Sequence, residues 1–334
     1  MRAWELGAFG LDGLRLVERP DPTPGPGEAL VELTAWSVNF RDLSIVLGTY
    51  NPKQSLPLVP LSDGAGRVVA VGSGVSWPRV GDRVVTLFFR NWTGGRPTRE
   101  RLKSAAASPQ PGVLCERMSF HPDALAPAPA HLSDAQAATL PCAALTAWSA
   151  LELAGTTSGD TVVTQGSGGV SVFALQLAKL RSARVISTSK SDAKRARLEA
   201  LGADTTLSYV AEPAWGSVVK RKLTDGGADH VVEVGGAGTV QQSIEAVRPD
   251  GVVSVIGVLA GGAGPVSLVP VLMQNIRLQG VIVGSRDSFV AMSRAMEVSK
   301  LAPVVDVELG FGELREALAR MSSGEHFGKI VLRA

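Results

Sequence analysis

An apolar stretch followed by a glycine-rich turn and a helical pattern limits the fold of this chain more than any other feature. The segment Val162-Val163-Thr164-Gln165-Gly166-Ser167-Gly168-Gly169-Val170-Ser171 predicts a strand, a sharp turn and the start of a helix. Residues 183–188 predict the next strand. Glycines in such a turn let the backbone approach a pyrophosphate, whose charge the helix N-terminus stabilises. The segment therefore predicts a dinucleotide-binding βαβ unit, with Ser171 where the motif's third glycine would stand.

The residues after the second predicted strand indicate which dinucleotide binds. A site for NAD carries an acidic residue there, which binds the ribose 2′-hydroxyl. This chain has Ser189-Lys190-Ser191, followed by Lys194 and Arg195. Small hydroxyls and cations at this place favour a 2′-phosphate, so we predict NADPH as the cofactor. The alternative is that Lys194, Arg195 and Arg197 only solvate a helix face.

Composition excludes several classes of protein. The 334 residues are 45% hydrophobic and 19% charged, as in a globular protein large enough for two domains. A net charge of +2 does not point to nucleic acid, and we interpret the basic stretch at 90–103 as a solvated loop. Two cysteines fit a reduced compartment. We expect no apolar run of membrane-spanning length and no signal peptide, hence a cytoplasmic protein without a membrane partner.

Two textures along the chain predict two domains. Short strands broken by Pro and Gly are predicted at 29–33, 65–71 and 83–89. Later strands, at 161–164, 183–188, 230–234, 252–256 and 278–283, alternate with helical patterns and predict a parallel sheet. A final helix at 312–321 and strand at 329–332 are too short to fold alone. The predicted fold is α/β, with a doubly wound parallel Rossmann domain at 131–284 and a β-rich domain formed by 1–130 and 285–334.

Several motifs together resemble one superfamily. They are Ser37-Val38-Asn39-Phe40-Arg41-Asp42, the glycine-valine run at 63–72, Gly81-Asp82-Arg83-Val84, Leu145-Thr146-Ala147-Trp148 and Phe327-Gly328-Lys329. In this combination the chain resembles the zinc-free quinone oxidoreductase branch of the medium-chain dehydrogenase/reductase superfamily, which includes bacterial NAD(P)-dependent alcohol dehydrogenase-like proteins. The resemblance extends over nearly the whole chain. It implies a GroES-like fold for the β-rich domain and an oxidoreductase activity on a small molecule.

The same resemblance raises the question of zinc. Metal-using relatives hold catalytic zinc with Cys, His and Cys, and the matching positions here are Asn39, Ser62-Asp63 and Cys142. One thiolate cannot complete a site that needs three protein ligands. The four histidines lie in unrelated segments, at His121, His131, His230 and His326. We therefore predict no metal site and interpret Cys142 as a buried packing residue.

A zinc-free site favours certain acceptors. Without a Lewis acid, hydride addition to a quinone or an α,β-unsaturated carbonyl needs less help than alcohol oxidation, because the negative charge is delocalised. Asn39 supplies an amide donor at the vacated ligand position, and Tyr50, by resemblance, supplies a phenol. Asp42 completes the predicted site as an anchor of its hydrogen bonds. The alternatives are that Asn39 only satisfies backbone in a turn and that Tyr50 only borders a loop.

The resemblance also implies a set of cofactor-binding residues. Thr146 is placed near the nicotinamide, and a turn of four residues passes the pyrophosphate. The whole set is Thr146, Gly166, Gly168, Gly169, Val170, Ser189, Lys194, Tyr209, Gly235, Val258, Gly284, Phe327, Gly328 and Lys329. For two members simpler interpretations stay open, since Tyr209 could be a strand aromatic and Lys329 a solvated lysine.

Three functions remain in competition. The leading one is an NADPH-dependent reductase of quinones or enals, and the second is a zinc-independent alcohol dehydrogenase or carbonyl reductase. The third is a non-catalytic protein that binds NADPH or nucleic acid, supported only by the basic stretch at 90–103. We also predict a homodimer, because the apolar strand at 278–283 would otherwise leave an unpaired sheet edge.

Overall fold

The computed structural model describes all 334 residues, and the chain divides into two compact units. The first unit consists of Met1–Leu145 and Val283–Ala334, and the second of Thr146–Ile282. The sequence placed these boundaries at 130/131 and 284/285. Residues 131–145 lie with the first unit because Asp134 is bound there. Its carboxylate accepts a hydrogen bond from Thr34 Oγ1 (2.8 Å) and forms an ion pair with Arg83 (2.6 Å).

Fifteen strands and eleven α-helices make up the two units. The strands are β1 Arg2–Leu6, β2 Leu14–Glu18, β3 Ala29–Val38, β4 Asp63–Val71, β5 Arg83–Thr86, β6 Arg117–Phe120, β7 Leu125–Pro127, β8 Thr161–Gln165, β9 Arg184–Thr188, β10 Thr205–Leu207, β11 Ala228–Glu233, β12 Val247–Val255, β13 Arg277–Gly280, β14 Val305–Gly310 and β15 Lys329–Arg333. The helices are α1 Phe40–Val46, α2 Arg99–Leu102, α3 Asp134–Ala137, α4 Leu145–Ala154, α5 Gly169–Leu180, α6 Asp192–Ala200, α7 Trp215–Val218, α8 Val240–Ala246, α9 Val269–Met273, α10 Arg286–Ser299 and α11 Leu314–Ser323.

The first unit is built on a seven-stranded sheet in the order β14-β15-β3-β4-β5-β7, with β6 paired to β3. Its core includes Trp36, which is fully buried, packs against Phe311 with tilted rings whose centroids are 4.8 Å apart, and donates from Nε1 to the Val113 carbonyl (2.7 Å). The C-terminal tail returns to this unit, where β15 pairs antiparallel with β3. β3 lies inside this sheet, paired with β15, β4 and β6, and it extends to Val38, five residues beyond the predicted end.

The second unit is a six-stranded parallel sheet in the order β10-β9-β8-β11-β12-β13. This arrangement confirms the predicted mixed α/β fold with a parallel sheet. Valines from three adjacent strands, Val163, Val231 and Val253, are completely buried in its core. The predicted strand at 278–283 is wrong at its end, because β13 stops at Gly280. Val281 and Val283 are buried instead of extending the edge.

One expectation about membranes needs correction. Asp134–Ala154 forms a helical stretch that is long and apolar enough to cross a membrane by length and composition. Many of its residues are alanine or leucine, which raise its mean hydropathy without forming a conspicuous apolar run. Within the protein 72% of its apolar window is buried, which is how a core helix satisfies the same criterion.

The core of the second unit contains a histidine that cannot easily take a proton. His230 is 1% exposed, with Nδ1 bound to Thr156 Oγ1 (3.1 Å) and Nε2 to Ser254 Oγ (2.8 Å). Burial lowers the pKa of His230 to about 3, and the nearby Arg277 and Arg181 lower it further. The neutral ring is therefore the form that the folded unit requires.

We predict that this histidine makes the protein acid-sensitive. Because the folded pKa lies below the unfolded value of about 6.5, stability is fully present above that pH and is lost as the pH falls toward 3. The loss is about 1.4 kcal/mol per pH unit within that window. The measurement is the free energy of unfolding against pH for the wild type and His230→Gln, which cannot titrate. Identical pH dependence in the two proteins would contradict this account.

Candidate active site

A buried polar cluster in the first unit brings together Asn39, Asp63 and Lys329. Lys329 Nζ donates to Asn39 Oδ1 (2.5 Å) and to the Val38 carbonyl (2.7 Å). Asn39 Nδ2 donates to Asp63 Oδ2 (3.0 Å), and Ser62 Oγ donates to the other oxygen, Oδ1 (2.7 Å). None of these residues is more than 7% exposed. The Asn39 side chain is thus held on both sides.

Strand register explains why residues so far apart in sequence meet. β3 pairs antiparallel with β15, with Val38 opposite Ile330, so the residue after β3 comes level with Lys329, the first residue of β15. β3 also pairs antiparallel with β4, with Ser37 opposite Asp63. Asn39 follows the last residue of β3 and precedes helix α1. Its position between the two neighbouring strands follows directly from this pairing.

Asp42 anchors the start of helix α1, as predicted for its role. Its Oδ2 accepts the backbone N–H of Asn39 (2.8 Å), which a capping carboxylate three residues into a helix typically does. Asp42 is 1% exposed, and burial raises its pKa to about 6 even though Arg41 and the Asn39 hydrogen bond lower it. Asn39 therefore does more than satisfy backbone in a turn, since its side chain is bound by Asp63 and Lys329.

The charged groups of the cluster oppose one another. Burial raises the pKa of Asp63, while Lys329 and the hydrogen bonds from Asn39 and Ser62 lower it. Burial lowers the pKa of Lys329, and Asp63 acts in the opposite direction. Burying such groups is costly unless hydrogen bonds and an opposite charge compensate for the lost water. Both groups are hydrogen-bonded here, and each charge favours the other. Lys329 is 3% exposed, so the interpretation of a solvated lysine is wrong.

Tyr50 lies at the edge of this region and not within it. It is 48% exposed, and its ring lies 4.9 Å from the guanidinium carbon of Arg41. Arg41 also lies over Phe88 (4.6 Å), donates to the Ala106 carbonyl (3.0 Å) and is within 3.8 Å of Asp42. Tyr50 is thus connected to Asp42 only through Arg41, whereas Asn39 and Asp42 are in direct contact.

The residues at the positions of the zinc ligands of metal-using relatives do not fit a zinc ion. Nowhere in the 334 residues do three His, Cys, Asp or Glu side chains lie close enough to share a metal. A zinc site needs at least three protein ligands. Cys142 is half-buried, less buried than predicted. Burial nevertheless raises the pKa of its thiol, and Asp63 raises it further, so the thiolate form is disfavoured.

The glycine turn of the second unit has the geometry of a phosphate cradle. Gly166 has φ +74°, a conformation that glycine adopts readily, and its N–H bonds to the Thr188 carbonyl (2.7 Å). Gly168 precedes the first residue of α5, so the first N–H groups of this helix have no intrahelical acceptor. Ser171 replaces the third glycine, and its hydroxyl donates to the Gln165 carbonyl (2.6 Å), which ties helix to strand.

The predicted adenosine end lies where β9 joins helix α6. Ser189 is buried, and Ser191 caps α6 by accepting the Lys194 N–H (3.4 Å). The nearest acid, Asp192, is 93% exposed and pairs with Arg195 (2.8 Å). Arg195 therefore has a partner on its own helix. Tyr209 follows β10 and is 39% exposed.

Sequence reasoning missed a buried carboxylate that connects two of these loops. Glu233 ends β11 and is completely buried. Its Oε1 accepts hydrogen bonds from the Gly235 and Gly236 N–H groups (2.6 and 2.9 Å) and from Thr239 Oγ1 (2.6 Å). Its Oε2 accepts from Gln165 Nε2 (2.7 Å) and from Ser243 Oγ. An acid followed by two glycines at a strand end was the available signal.

The remaining predicted cofactor residues are distributed over both units. The second unit holds Thr146, which is 4% exposed, and Val258, which is 58% exposed. The first unit holds Gly284, Phe327, Gly328 and Lys329. Gly328 has φ +85°, and a Cβ there would lie 2.4 Å from the Val304 carbonyl oxygen, so only glycine fits between β14 and β15.

Comparison with known families matches each part of the chain. Residues 25–130 match the family described as "Alcohol dehydrogenase GroES-like domain". Residues 169–297 match the family described as "Zinc-binding dehydrogenase".

Individual relatives match over the full length. A zinc-type alcohol dehydrogenase-like protein of Schizosaccharomyces pombe is 39% identical over 97% of this chain and 96% of its own. A chloroplastic quinone-oxidoreductase of Triphysaria versicolor is 29% identical over 99% and 98%. A solved structure from Sinorhizobium meliloti 1021, provisionally described as an alcohol dehydrogenase, has TM-score 0.93 and 39% identity, covering 100% and 98%. That of an NAD-dependent alcohol dehydrogenase has TM-score 0.91 and 34% identity, covering both chains fully.

Proposed function

The chain belongs to the medium-chain dehydrogenase/reductase superfamily, and from this premise we propose that it is a zinc-independent, NADPH-dependent reductase of conjugated carbonyl compounds. The family makes it an oxidoreductase of the alcohol dehydrogenase/quinone oxidoreductase type that uses a nicotinamide cofactor. The observation that carries the finer proposal is the Asn39 cluster. The amide of Asn39 is held by Lys329 and Asp63, and by the resemblance of its motif Asn39 stands at a position where metal-using relatives have a zinc ligand.

The donor set of this cluster suits a delocalised negative charge. Asn39 Nδ2 carries a second hydrogen that the bond to Asp63 does not use. A neutral amide donor stabilises an alkoxide far less than a metal ion does, but it suffices for an enolate or a quinol oxygen. The Tyr50 phenol is a second donor on the exposed side of Arg41. We infer that Asn39 and Tyr50 orient the acceptor oxygen.

The cofactor, when bound, supplies the hydride. The glycine turn at Gly166 and the start of α5 would bind its pyrophosphate, and Ser189 and Lys194 the adenosine phosphate. Glu233 holds Gly235 and Gly236 in place beside Gln165, which precedes the turn. We propose that solvent delivers the proton to the product, because Asp42 and Lys329, the acidic groups nearest to Asn39, are buried and engaged in hydrogen bonds to residues 38 and 39.

We predict that Asn39→Ala lowers kcat/KM for an enal such as trans-2-hexenal by about 10²–10³ with the Kd for NADPH unchanged. Loss of one preorganised donor to the developing oxyanion is the reason. Tyr50→Phe should lower the rate as well. The control is Phe9→Leu, which replaces one exposed apolar side chain with another. If both site variants reduce the enal at the wild-type rate while hydride transfer limits turnover, the assigned site is wrong.

We predict that NADPH binds more tightly than NADH and that Lys194→Ala weakens NADPH by about tenfold or more while leaving NADH almost unchanged. The reason is loss of a charge-assisted contact to the 2′-phosphate. Lys179→Ala, which removes a lysine paired with Asp204, is the matched control. Isothermal titration or fluorescence gives the dissociation constants. Equal values for the two cofactors in the wild type, as the NAD-dependent relative could suggest, would refute the assignment.

We also propose that the protein forms a homodimer through the β13 edge of the second unit. β13 is the last strand of the parallel sheet, and Leu278 on it is 38% exposed. Helix α9 precedes β13, and its residues Leu272 and Met273 are 80% and 74% exposed to solvent. An apolar surface beside an unpaired sheet edge favours self-association.

Sedimentation velocity at micromolar concentration should show a dimer for the wild type. Leu272→Glu should shift it toward monomer, because a charge replaces apolar area at the edge. Val298→Glu, at a residue 88% exposed in the first unit, should stay dimeric. A wild type that sediments only as a monomer would count against this arrangement.

A further inference from the structure

We propose that Lys329 is a positioning residue that fixes the orientation of the Asn39 amide, so that Asn39 always presents an N–H and never its oxygen to the acceptor. This inference rests on the proposed function for its activity readout, but its structural part does not. The sequence analysis placed Lys329 among the cofactor-binding residues. In the structure its ammonium group binds the side chain of Asn39.

The two charged neighbours of Asn39 each bind a different end of its side-chain amide. The amide of asparagine has a donating end and an accepting end, and the two ends are nearly equal in size. Lys329 Nζ can only donate toward the amide when protonated, and it lies 2.5 Å from one end. The Asp63 carboxylate can only accept when ionised, and it lies 3.0 Å from the other. The two neighbours therefore select the same orientation.

Burial makes this selection strong. Asn39, Asp63 and Lys329 are 7%, 0% and 3% exposed, so water offers little replacement for a lost hydrogen bond. Turning the amide over would place its NH2 group against Nζ and its oxygen against a carboxylate. Both contacts would then lack a hydrogen bond in a region of low polarity, where unsatisfied groups are most costly.

The neighbours of Lys329 are fixed as well. Its second bond, to the Val38 carbonyl (2.7 Å), attaches it to the residue just before Asn39. Both acceptors of Nζ thus belong to the β3–α1 junction, although Lys329 lies 290 positions after Asn39 in the sequence. A lysine whose bonds all converge on one dipeptide acts on that dipeptide.

A double-mutant cycle on kcat/KM tests the proposal. With NADPH and trans-2-hexenal, Lys329→Met should lower kcat/KM by about tenfold or more in the wild-type background, mainly through kcat, with the Kd for NADPH unchanged. In the Asn39→Ala background the same change should cost less than about twofold, since there is no amide left to orient. Equal losses in both backgrounds, or a changed NADPH Kd as the main effect, would overturn it.

A second variant guards against a folding defect in Lys329→Met. Asp63→Asn removes the selection from the other end, because an amide tolerates either orientation of Asn39, and it should show the same non-additivity. Ser37→Ala is the matched control, because Ser37 is completely buried on β3 next to the cluster, yet its hydroxyl donates to the Ile330 carbonyl and not to Asn39, Asp63 or Lys329. Thermal unfolding of each variant establishes that it is folded.

A readout independent of turnover separates this inference from the proposed function. The side-chain amide resonances of Asn39, labelled with ¹⁵N-asparagine and assigned by their loss in Asn39→Ala, should shift or broaden in Lys329→Met and Asp63→Asn but not in Ser37→Ala. If trans-2-hexenal is not reduced but the resonances move, the proposed substrate class fails and the positioning role stands. Unmoved resonances in both variants would overturn the positioning role whatever the activity.

Discussion

The antiparallel register of β15, β3 and β4 is the constraint on which the candidate site depends. It sets Lys329 and Asp63 on opposite sides of Asn39, the residue that directly follows β3. A one-residue slip in either pairing would turn side chains to the other face of the sheet and separate the three groups. The buried apolar face of β3, with Trp36 fully enclosed, resists such a slip. Packing of the first unit thereby fixes the geometry of its polar cluster.

The two units use comparable devices for different purposes. In the first, a lysine and a carboxylate hold one amide. In the second, the Glu233 carboxylate holds two backbone N–H groups and three side chains, and so joins the end of β8 to the loop after β11. Both are buried networks in which each carboxylate oxygen of Glu233 and of Asp63 accepts a hydrogen bond. Such networks rigidify the backbone around them.

Local patterns in the sequence predict more of the fold than of the candidate site. The strand, glycine turn and helix at Thr161–Gln165 and Gly169–Leu180 could be predicted because each signal lies within about twenty residues, the span of a βα unit. Asn39 was recognised from its motif. Its binding by Lys329 was not, because no local pattern reports a pairing between strands so distant in sequence. Glu233 was missed for a related reason, since its partners come from three separate elements.

The central claim is that a metal-free site directs hydride to a carbon conjugated with a carbonyl. The most direct measurement uses NADPH deuterated at the transferable position with trans-2-hexenal, on protein treated with a chelator and shown free of zinc by elemental analysis. The account predicts undiminished turnover and, by NMR of the product, a saturated aldehyde with deuterium on the carbon β to the carbonyl. Two results would contradict this mechanism. One is an allylic alcohol with deuterium on the former carbonyl carbon of the enal, and the other is activity that is lost on removal of a metal and restored by zinc.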